Sequence, residues 1–538
     1  MTSNTKFIKT TIFLVIIGLV VAFIIGALVY KKNRVDKPKK NYKNVIFIVA
    51  DDLGWSDLGY ASGEAFTPTI DKLAKQGIIL NQTYTYSMCT PSRNSILTGV
   101  YAERTGLQHF VLPNSNPIPA GIPLAFDLMP KYFKKYGFKT HLVGKWHVGS
   151  CSLDLTPAHR GFDSFYGFFY GEENYYTHRV SYGNDASGLD FWDQTKDYLE
   201  PILDKNQTYS SFAFNDRIMN ILDKHDANDP LFLFYAAQNP HSDSEFNVPE
   251  KYENLYSHIT NKNRRKILGM VTLLDEAIFN LTRKLEEKNL INDTLIVFTS
   301  DNGGDILDYQ RNFPLRGGKS SLFEGGHRVR AFISMNGLES NVYDGMFHSV
   351  DWVPTVLSAA LGQEIEIDGL DGVNQWNSII ENLESKRNSF IYNIDPIGNR
   401  QGSKLCNTSS EAIRVDNWKL IKGCPGLLTD WYNLSNFDID YTINEFGEFL
   451  SLNSSRQTCL SEVSDKENNY FLFNLKDDPL EMDNLARVYP CLVLEMEEKL
   501  EEFKKISVPP QVKEPTSIFG NPDASPALWG DKWSPGWC

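Results

Sequence analysis

Four short apolar runs, residues 45–50, 140–143, 231–237 and 295–300, each stop in a polar cluster: Asp51-Asp52, Gly144-Lys145-Trp146-His147, Asn239-Pro240-His241 and Asp301-Asn302. Runs of this length without apolar–polar alternation fit strands covered on both faces. Helical patterns lie between them at residues 67–76, 125–136 and 264–287. That alternation predicts an α/β fold built on a largely parallel sheet. In open sheets of this kind ligands gather at the carboxyl ends of the strands. Here those ends carry Asp, Lys, His and Asn in place of turn residues alone, so positions far apart in sequence are expected to share one pocket.

The run Ser87-Met88-Cys89-Thr90-Pro91-Ser92-Arg93 continues through Asn94-Ser95-Ile96-Leu97 to Thr98-Gly99. Proline is favoured in the first helical turn, so Thr90-Pro91 reads as a cap followed by a helix start, with Cys89 just outside. A side chain there faces the positive end of a helix dipole, and Arg93 adds a fixed cation, a setting suited to an oxyanion. Asp51 and Asp52 are adjacent carboxylates that repel unless a cation neutralises them. Asp301-Asn302-Gly303-Gly304 is by itself an ordinary turn. With the Asp pair it makes an all-oxygen set suited to a hard cation, Ca²⁺ or Mg²⁺, over Zn²⁺.

These residues resemble the sulfatase signature, Cys-x-Pro-Ser/Ala-Arg with its trailing apolar pair and Thr-Gly. Residues 137–147, ending in Gly144-Lys145-Trp146-His147, resemble the second signature of that family. Arg316-Gly317-Gly318-Lys319 with Glu324-Gly325-Gly326 resembles the loop whose lysine clamps the sulfate, and residues 471–481 look like the C-terminal strand and its Asp-Pro-x-Glu turn. His241 follows an apolar strand as the family histidine does, although Ser242-Asp243-Ser244 departs from the proline often found there. Within the family the wording around residues 144–149, 160–163 and 316–326 looks most like the arylsulfatase B group, which acts on N-acetylgalactosamine 4-sulfate of glycosaminoglycans.

The resemblance implies an alkaline-phosphatase-like large mixed, mostly parallel sheet flanked by helices, with a smaller C-terminal antiparallel-sheet domain. It implies that a formylglycine-generating enzyme converts Cys89 to formylglycine in the endoplasmic reticulum. One Ca²⁺ per site is then held by Asp51, Asp52, Asp301, Asn302 and the modified Cys89. Lys145, His241 and Lys319 bind the sulfate, and Arg93 holds the formylglycine hydrate, whose one hydroxyl attacks sulfur. His241 protonates the leaving oxygen and His147 takes the proton of the second hydroxyl, so that sulfate departs and the aldehyde returns. The implied substrate is a sulfated glycan or an aryl sulfate. A phosphodiesterase or phosphonate hydrolase of the same fold is the enzymatic alternative. The other is a glycan-binding homologue without turnover.

A formal net charge of −14 over 538 residues argues against a nucleic-acid partner. Residues 11–30 carry no charge and match the ~20 residues that cross a bilayer as a helix. The expected organisation is a short cytoplasmic segment (1–10), a signal anchor (11–30), a basic linker (31–43), a catalytic α/β domain (44–400) and a small C-terminal α+β domain (401–538). The seven cations from Lys31 to Lys43 would by the positive-inside rule place the linker in the cytoplasm. Acceptor sequons for N-glycosylation at Asn81, Asn206, Asn280, Asn292, Asn407, Asn433 and Asn453 point the other way. With Cys89 set aside, Cys151, Cys406, Cys424, Cys459, Cys491 and Cys538 make an even set that permits three disulfides in an oxidising lumen. The expected location is therefore the secretory pathway, as a single-pass membrane protein with its catalytic domain in the lumen or outside the cell.

Overall fold

The computed structural model describes residues 42–112, 118–182, 186–397, 409–426, 429–432, 470–512 and 521–538. The candidate anchor, most of the basic linker, the sequons at Asn407, Asn433 and Asn453, and Cys406 and Cys459 lie outside these residues. Among the described residues no helix is long and apolar enough to cross a membrane.

In chain order the principal elements are β1 (Asn44–Ala50), α1 (Pro68–Gln76), β2 (Ile78–Leu80), α2 (Cys89–Thr98), α3 (Met129–Lys135), β3 (Lys139–Lys145), β4 (Ser164–Phe168), β5 (Trp192–Gln194), β6 (Leu199–Pro201), α4 (Ser210–Lys224), β7 (Leu231–Ala236), α5 (Lys262–Glu287), β8 (Thr294–Ser300), β9 (Ala331–Ser334), β10 (Asn341–Tyr343) and α6 (Trp352–Leu361). The ten strands form one sheet in the order β10-β2-β9-β8-β1-β7-β3-β4-β5-β6. Its centre, β8-β1-β7-β3-β4, is parallel, and antiparallel strands flank it on both sides.

The unbroken apolar character of β1 follows from its surroundings. Val45, Phe47 and Val49 enter a core with Ile96 of α2, Phe133 of α3 and Trp352 of α6. Ile46, Ile48 and Ala50 face the opposite core, with Ile70 of α1, Phe214 of α4 and Leu274 and Ile278 of α5. Burying a side chain of this size is worth about 1.5–3 kcal/mol, so a strand sealed on both faces anchors its polar end firmly.

One helix boundary differs from the sequence pattern. The helix expected over 125–136 begins at Met129, with Pro130 in its first turn, where a residue without an N–H costs nothing. Residues 410–423 form a hairpin, β12 (Ser410–Val415) and β13 (Trp418–Gly423), turned at Asp416 with φ 49°. With β11 (Ser389–Asp395) and β14 (Tyr470–Asn474) they make the small antiparallel sheet, in the order β11-β12-β13-β14.

A helix in this region, α7 (Pro490–Lys504), packs Val493, Met496 and Leu500 into the core beneath that sheet. The chain then returns to the core beside the large sheet, where Val512 and Trp533 pack. Gln511 N–H bonds to the Gly106 carbonyl, Trp533 Nε1 to the Val180 carbonyl, and Cys538 is disulfide-bonded to Cys151. Cys424 and Cys491 are also disulfide-bonded, and among the described residues Cys89 is the free thiol. Tyr42–Cys538 is accordingly one compact unit.

Candidate active site

β1 and β8 run in parallel register, Ala50 opposite Ser300, so the two acidic clusters that follow them emerge side by side. Asp301 N–H bonds to the Ala50 carbonyl at 3.0 Å and Asp52 N–H to Asp301 Oδ1 at 3.1 Å. Asp52 and His147 both hold φ 59°, a left-handed conformation that side-chain-bearing residues adopt at a cost and that recurs where a functional side chain must be aimed. Asp51, Asp52, Asp301 and Asn302 are all fully buried.

Cys89 is the first residue of α2, not the residue before it. Met88 takes the extended cap conformation, and its carbonyl accepts Ser92 N–H. Thr90, read from sequence as the cap, spends its hydroxyl elsewhere: it donates to the His147 carbonyl (3.1 Å) and accepts Leu112 N–H (3.0 Å). Residue 89 therefore stands at the end of the helix whose N–H groups lack intrahelical partners. Its sulfur is 3.6 Å from Asp51 Oδ1 and 3.7 Å from Asp52 Oδ1. Burial pushes the thiol well above its ordinary value, with Lys145 pulling down and Asp301 pushing up. As cysteine the residue is a neutral thiol, a poor nucleophile.

One turn along α2, Arg93 Nε donates to Asp301 Oδ2 at 3.0 Å and Nη1 to the Lys145 carbonyl at 3.3 Å, while Nη2 lies 3.4 Å from Asp51 Oδ1. Lys145, at the end of β3, places Nζ 2.9 and 2.7 Å from the two Asp51 oxygens. Lys319 Nζ pairs with Asp52 Oδ2 and lies 3.3 Å from His241 Nε2, itself 3.5 Å from Asp52 Oδ2. Burial alone would raise both Asp pKa values, but Lys145, His241 and Arg93 hold Asp51 below its ordinary range, and Lys319 and His241 do the same for Asp52. Burial and the Asp51 charge instead push Asp301 up to about 6.

The histidines differ. His147 Nε2 is 2.8 Å from the Leu112 carbonyl, so that nitrogen carries the hydrogen and Nδ1 presents a lone pair; Nδ1 is buried with no hydrogen-bond partner among the described residues. Burial, then Lys145, drives its pKa well below the usual value, so the ring is neutral. His241 Nδ1 sits 2.6 Å from the Ser242 carbonyl, leaving Nε2 facing Lys319 and Asp52. With side chains 11% and 14% exposed, His241 and Lys319 mark the mouth, whereas Lys145 and Asp51 are sealed beneath it.

Oxygens of Asp51, Asp52 and Asp301 and the Cys89 sulfur lie within 4.8 Å of one another. Asn302 Oδ1 is buried without a hydrogen-bond partner among the described residues. Three carboxylates and an orphaned amide oxygen are the donors a hard divalent cation takes. The residues present fit such an ion. The sequence-predicted set, Asp51, Asp52, Cys89, Arg93, Lys145, His147, His241, Lys319, Asp301 and Asn302, is thus brought together around one pocket. Thr90 and Leu112, which tie the His147 segment to α2, were not anticipated. Nor was Glu172, 3.8 Å from His241 Nδ1, and no local pattern marks any of the three.

Of the sequons, Asn206 and Asn292 are exposed, and Asn81 and Asn280 half-buried.

The family model described as Sulfatase matches residues 43–362. Arylsulfatase J of Mus musculus is 36% identical over 505 residues, covering 91% of this chain and 80% of that protein. N-acetylgalactosamine-6-sulfatase of Homo sapiens is 26% identical over 377 residues, covering 66% of this chain and 69% of that protein. Among solved structures, Ps i-CgsB in complex with k-i-k-neocarrahexaose superposes with a TM-score of 0.69 at 25% identity, covering 89% of this chain and 96% of that one.

Proposed function

The chain belongs to the sulfatase family and is a sulfuric ester hydrolase; on that premise we propose that it removes sulfate monoesters from glycan sugars of the N-acetylgalactosamine 4-sulfate type, with residue 89 as formylglycine beside one Ca²⁺. Two relatives support a glycan substrate, though not the 4-position: one is named N-acetylgalactosamine-6-sulfatase, and another was crystallised with k-i-k-neocarrahexaose.

Asp51, Asp52, Asp301, Asn302 and residue 89 would hold the ion, which when bound supplies Lewis-acid charge neutralisation at the sulfate. The hydrated aldehyde supplies a hydroxyl nucleophile that a neutral thiol does not.

The chain's own residues do the rest. Asp51, Asp52 and Asp301 face Arg93, Lys145 and Lys319, three charges against three. A divalent ion leaves the pocket cationic, which draws in a sulfate ester and opposes the mutual repulsion of its oxygens and the incoming nucleophile. Arg93, fixed by Asp301 and the Lys145 carbonyl, orients residue 89. Lys145 from below and Lys319 at the mouth hold the sulfate oxygens. His241, its Nδ1–H anchored on the Ser242 carbonyl, delivers a proton from Nε2 to the departing sugar oxygen. His147 accepts a proton from residue 89 at Nδ1, its unpartnered nitrogen.

The observation that carries this reading is the seat of Cys89, at the N–H end of a buried helix and within 4 Å of two carboxylates. Assaying paired aryl sulfate and aryl phosphate esters, and then 4- and 6-sulfated N-acetylgalactosamine disaccharides, tests it. Sulfate turnover with preference for the 4-sulfate is expected; preference for the phosphate ester would contradict it.

Residues 11–30 are read as a signal anchor placing the catalytic domain in the secretory lumen or outside the cell, where a formylglycine-generating enzyme acts during maturation. The Cys151–Cys538 disulfide supports an oxidising compartment.

A further inference from the structure

Beyond the pocket, three charged side chains are sealed where the small sheet meets the loop that carries Lys319. Lys419 on β13 places Nζ 2.7 Å from Glu481 Oε1 and 3.0 Å from Glu324 Oε1, and all three side chains are 0% exposed. The hydroxyls of Tyr84 and Tyr392 donate to Glu324 at 2.9 and 2.8 Å. Two buried carboxylates thus share one ammonium and two hydroxyls, a network that fixes geometry because each partner left alone would be costly to bury.

Glu481 holds φ 58°, where glycine or asparagine is the usual occupant. The turn itself does not call for glutamate; its contacts do. Glu481 Oε2 accepts Glu324 N–H at 2.7 Å, and the Glu481 carbonyl accepts Arg316 Nη1 at 2.8 Å. These two bonds grip both ends of residues 316–324.

Between the grips and just past the second, the chain is bonded backbone to backbone onto the pocket. Lys319 N–H bonds to the Gly304 carbonyl at 3.0 Å, Ser320 N–H to the Ser87 carbonyl at 2.8 Å, and Gly303 N–H to the Gly326 carbonyl at 3.0 Å. A Cβ on Gly303 would fall 1.8 Å from the Gly325 oxygen, so this loop touches the Asn302-Gly303 turn without side chains between them.

We propose that Glu481 is a positioning residue for sulfate hydrolysis: from the small sheet it fixes both ends of the loop and so holds the Lys319 ammonium against Asp52 and His241. The inference rests on the role given to Lys319 above.

The test is a double-mutant cycle on the full chain, reading kcat/KM for an aryl sulfate. Glu481→Gly suits the backbone at φ 58° and removes the whole side chain, carboxylate included, while leaving the main-chain carbonyl that Arg316 Nη1 reaches. The expected result is a loss of about tenfold in the parent, shrinking to less than about twofold in a Lys319→Ala background. Glu481→Gln, which keeps an acceptor for Glu324 N–H, recovers most of that loss. An equal loss in both backgrounds marks a merely structural turn and overturns the inference, as does undiminished turnover by Glu481→Gly. If Glu481→Gly does not fold, Arg316→Lys, which releases the Glu481 carbonyl from the other side, is read in the same cycle against the same criteria. Absence of sulfate turnover in the parent would strike the functional reading and this inference together; turnover in the parent that Glu481→Gly leaves undiminished would strike the inference alone.

Discussion

The sulfur of Cys89 lies 3.6 Å from Oδ1 of Asp51, the one delivered by the first turn of α2 and the other by the carboxyl end of β1. Residue 89 therefore acts where charge is concentrated, and its chemistry should be separable from its packing. Cys89→Ser keeps the shape of a 2% exposed side chain yet lacks the thiol from which the formylglycine-generating enzyme makes the aldehyde. Turnover is expected to fall by about three orders of magnitude or more, with the thermal midpoint within about 4 °C of the parent. Steady-state kinetics beside a melting curve check both halves.

Asp301 connects the ion site to Arg93, so its loss should couple binding to activity. Asp301→Ala is expected to abolish the Ca²⁺ binding heat in titration calorimetry and to lower kcat/KM by about a hundredfold or more. A variant that binds calcium normally, or a parent fully active in chelator, would show the donor set misassigned.

Thr90 joins two segments of the site through one hydroxyl, bonded to both the His147 carbonyl and Leu112 N–H. Thr90→Val leaves these buried groups unpaired, which costs about 1–3 kcal/mol. Denaturant unfolding should register that loss, and kcat should fall as the His147 segment loosens. Unchanged stability would mean the hydroxyl is not the tie it appears in the geometry.

Asp190 makes the stability of the fold depend on pH. Burial raises its carboxyl from 3.8 to about 7, against the opposing N–H groups of Tyr170 and Phe169. A carboxyl that holds its proton more tightly when folded stabilises the fold below about pH 4, and that contribution is lost as pH rises through about 7. Asp190→Asn lacks this slope. Melting curves from pH 4 to 8 should therefore show the variant gaining on the parent as pH rises; a gap that widens in the parent's favour would reverse the sign.

The pocket was legible because its determinants are local. Unbroken apolar runs such as residues 45–50 announce strands buried on both faces, and polar residues that interrupt them announce strand ends. Where the sequence misled, a tertiary bond took over from a local rule. Thr90 looked like a helix cap, but its hydroxyl is committed to His147 and Leu112, and Met88 caps by backbone conformation alone. The spacing of Val493, Met496 and Leu500 fits one face of α7, but the sheet that this face packs beneath is set by strands distant in sequence. Lys419 and Glu481 were out of reach for a different reason. Neither lies in a motif with the other, and only the packing of β13 against the 478–481 turn brings them together.

The account stands on residue 89 being an aldehyde in the working enzyme. Mass spectrometry of the tryptic peptide spanning that position, from active protein made in a eukaryotic secretory pathway, tests it most directly. The account predicts the mass of formylglycine in a fraction that tracks specific activity; full activity in protein whose residue 89 is entirely an unmodified thiol would contradict it.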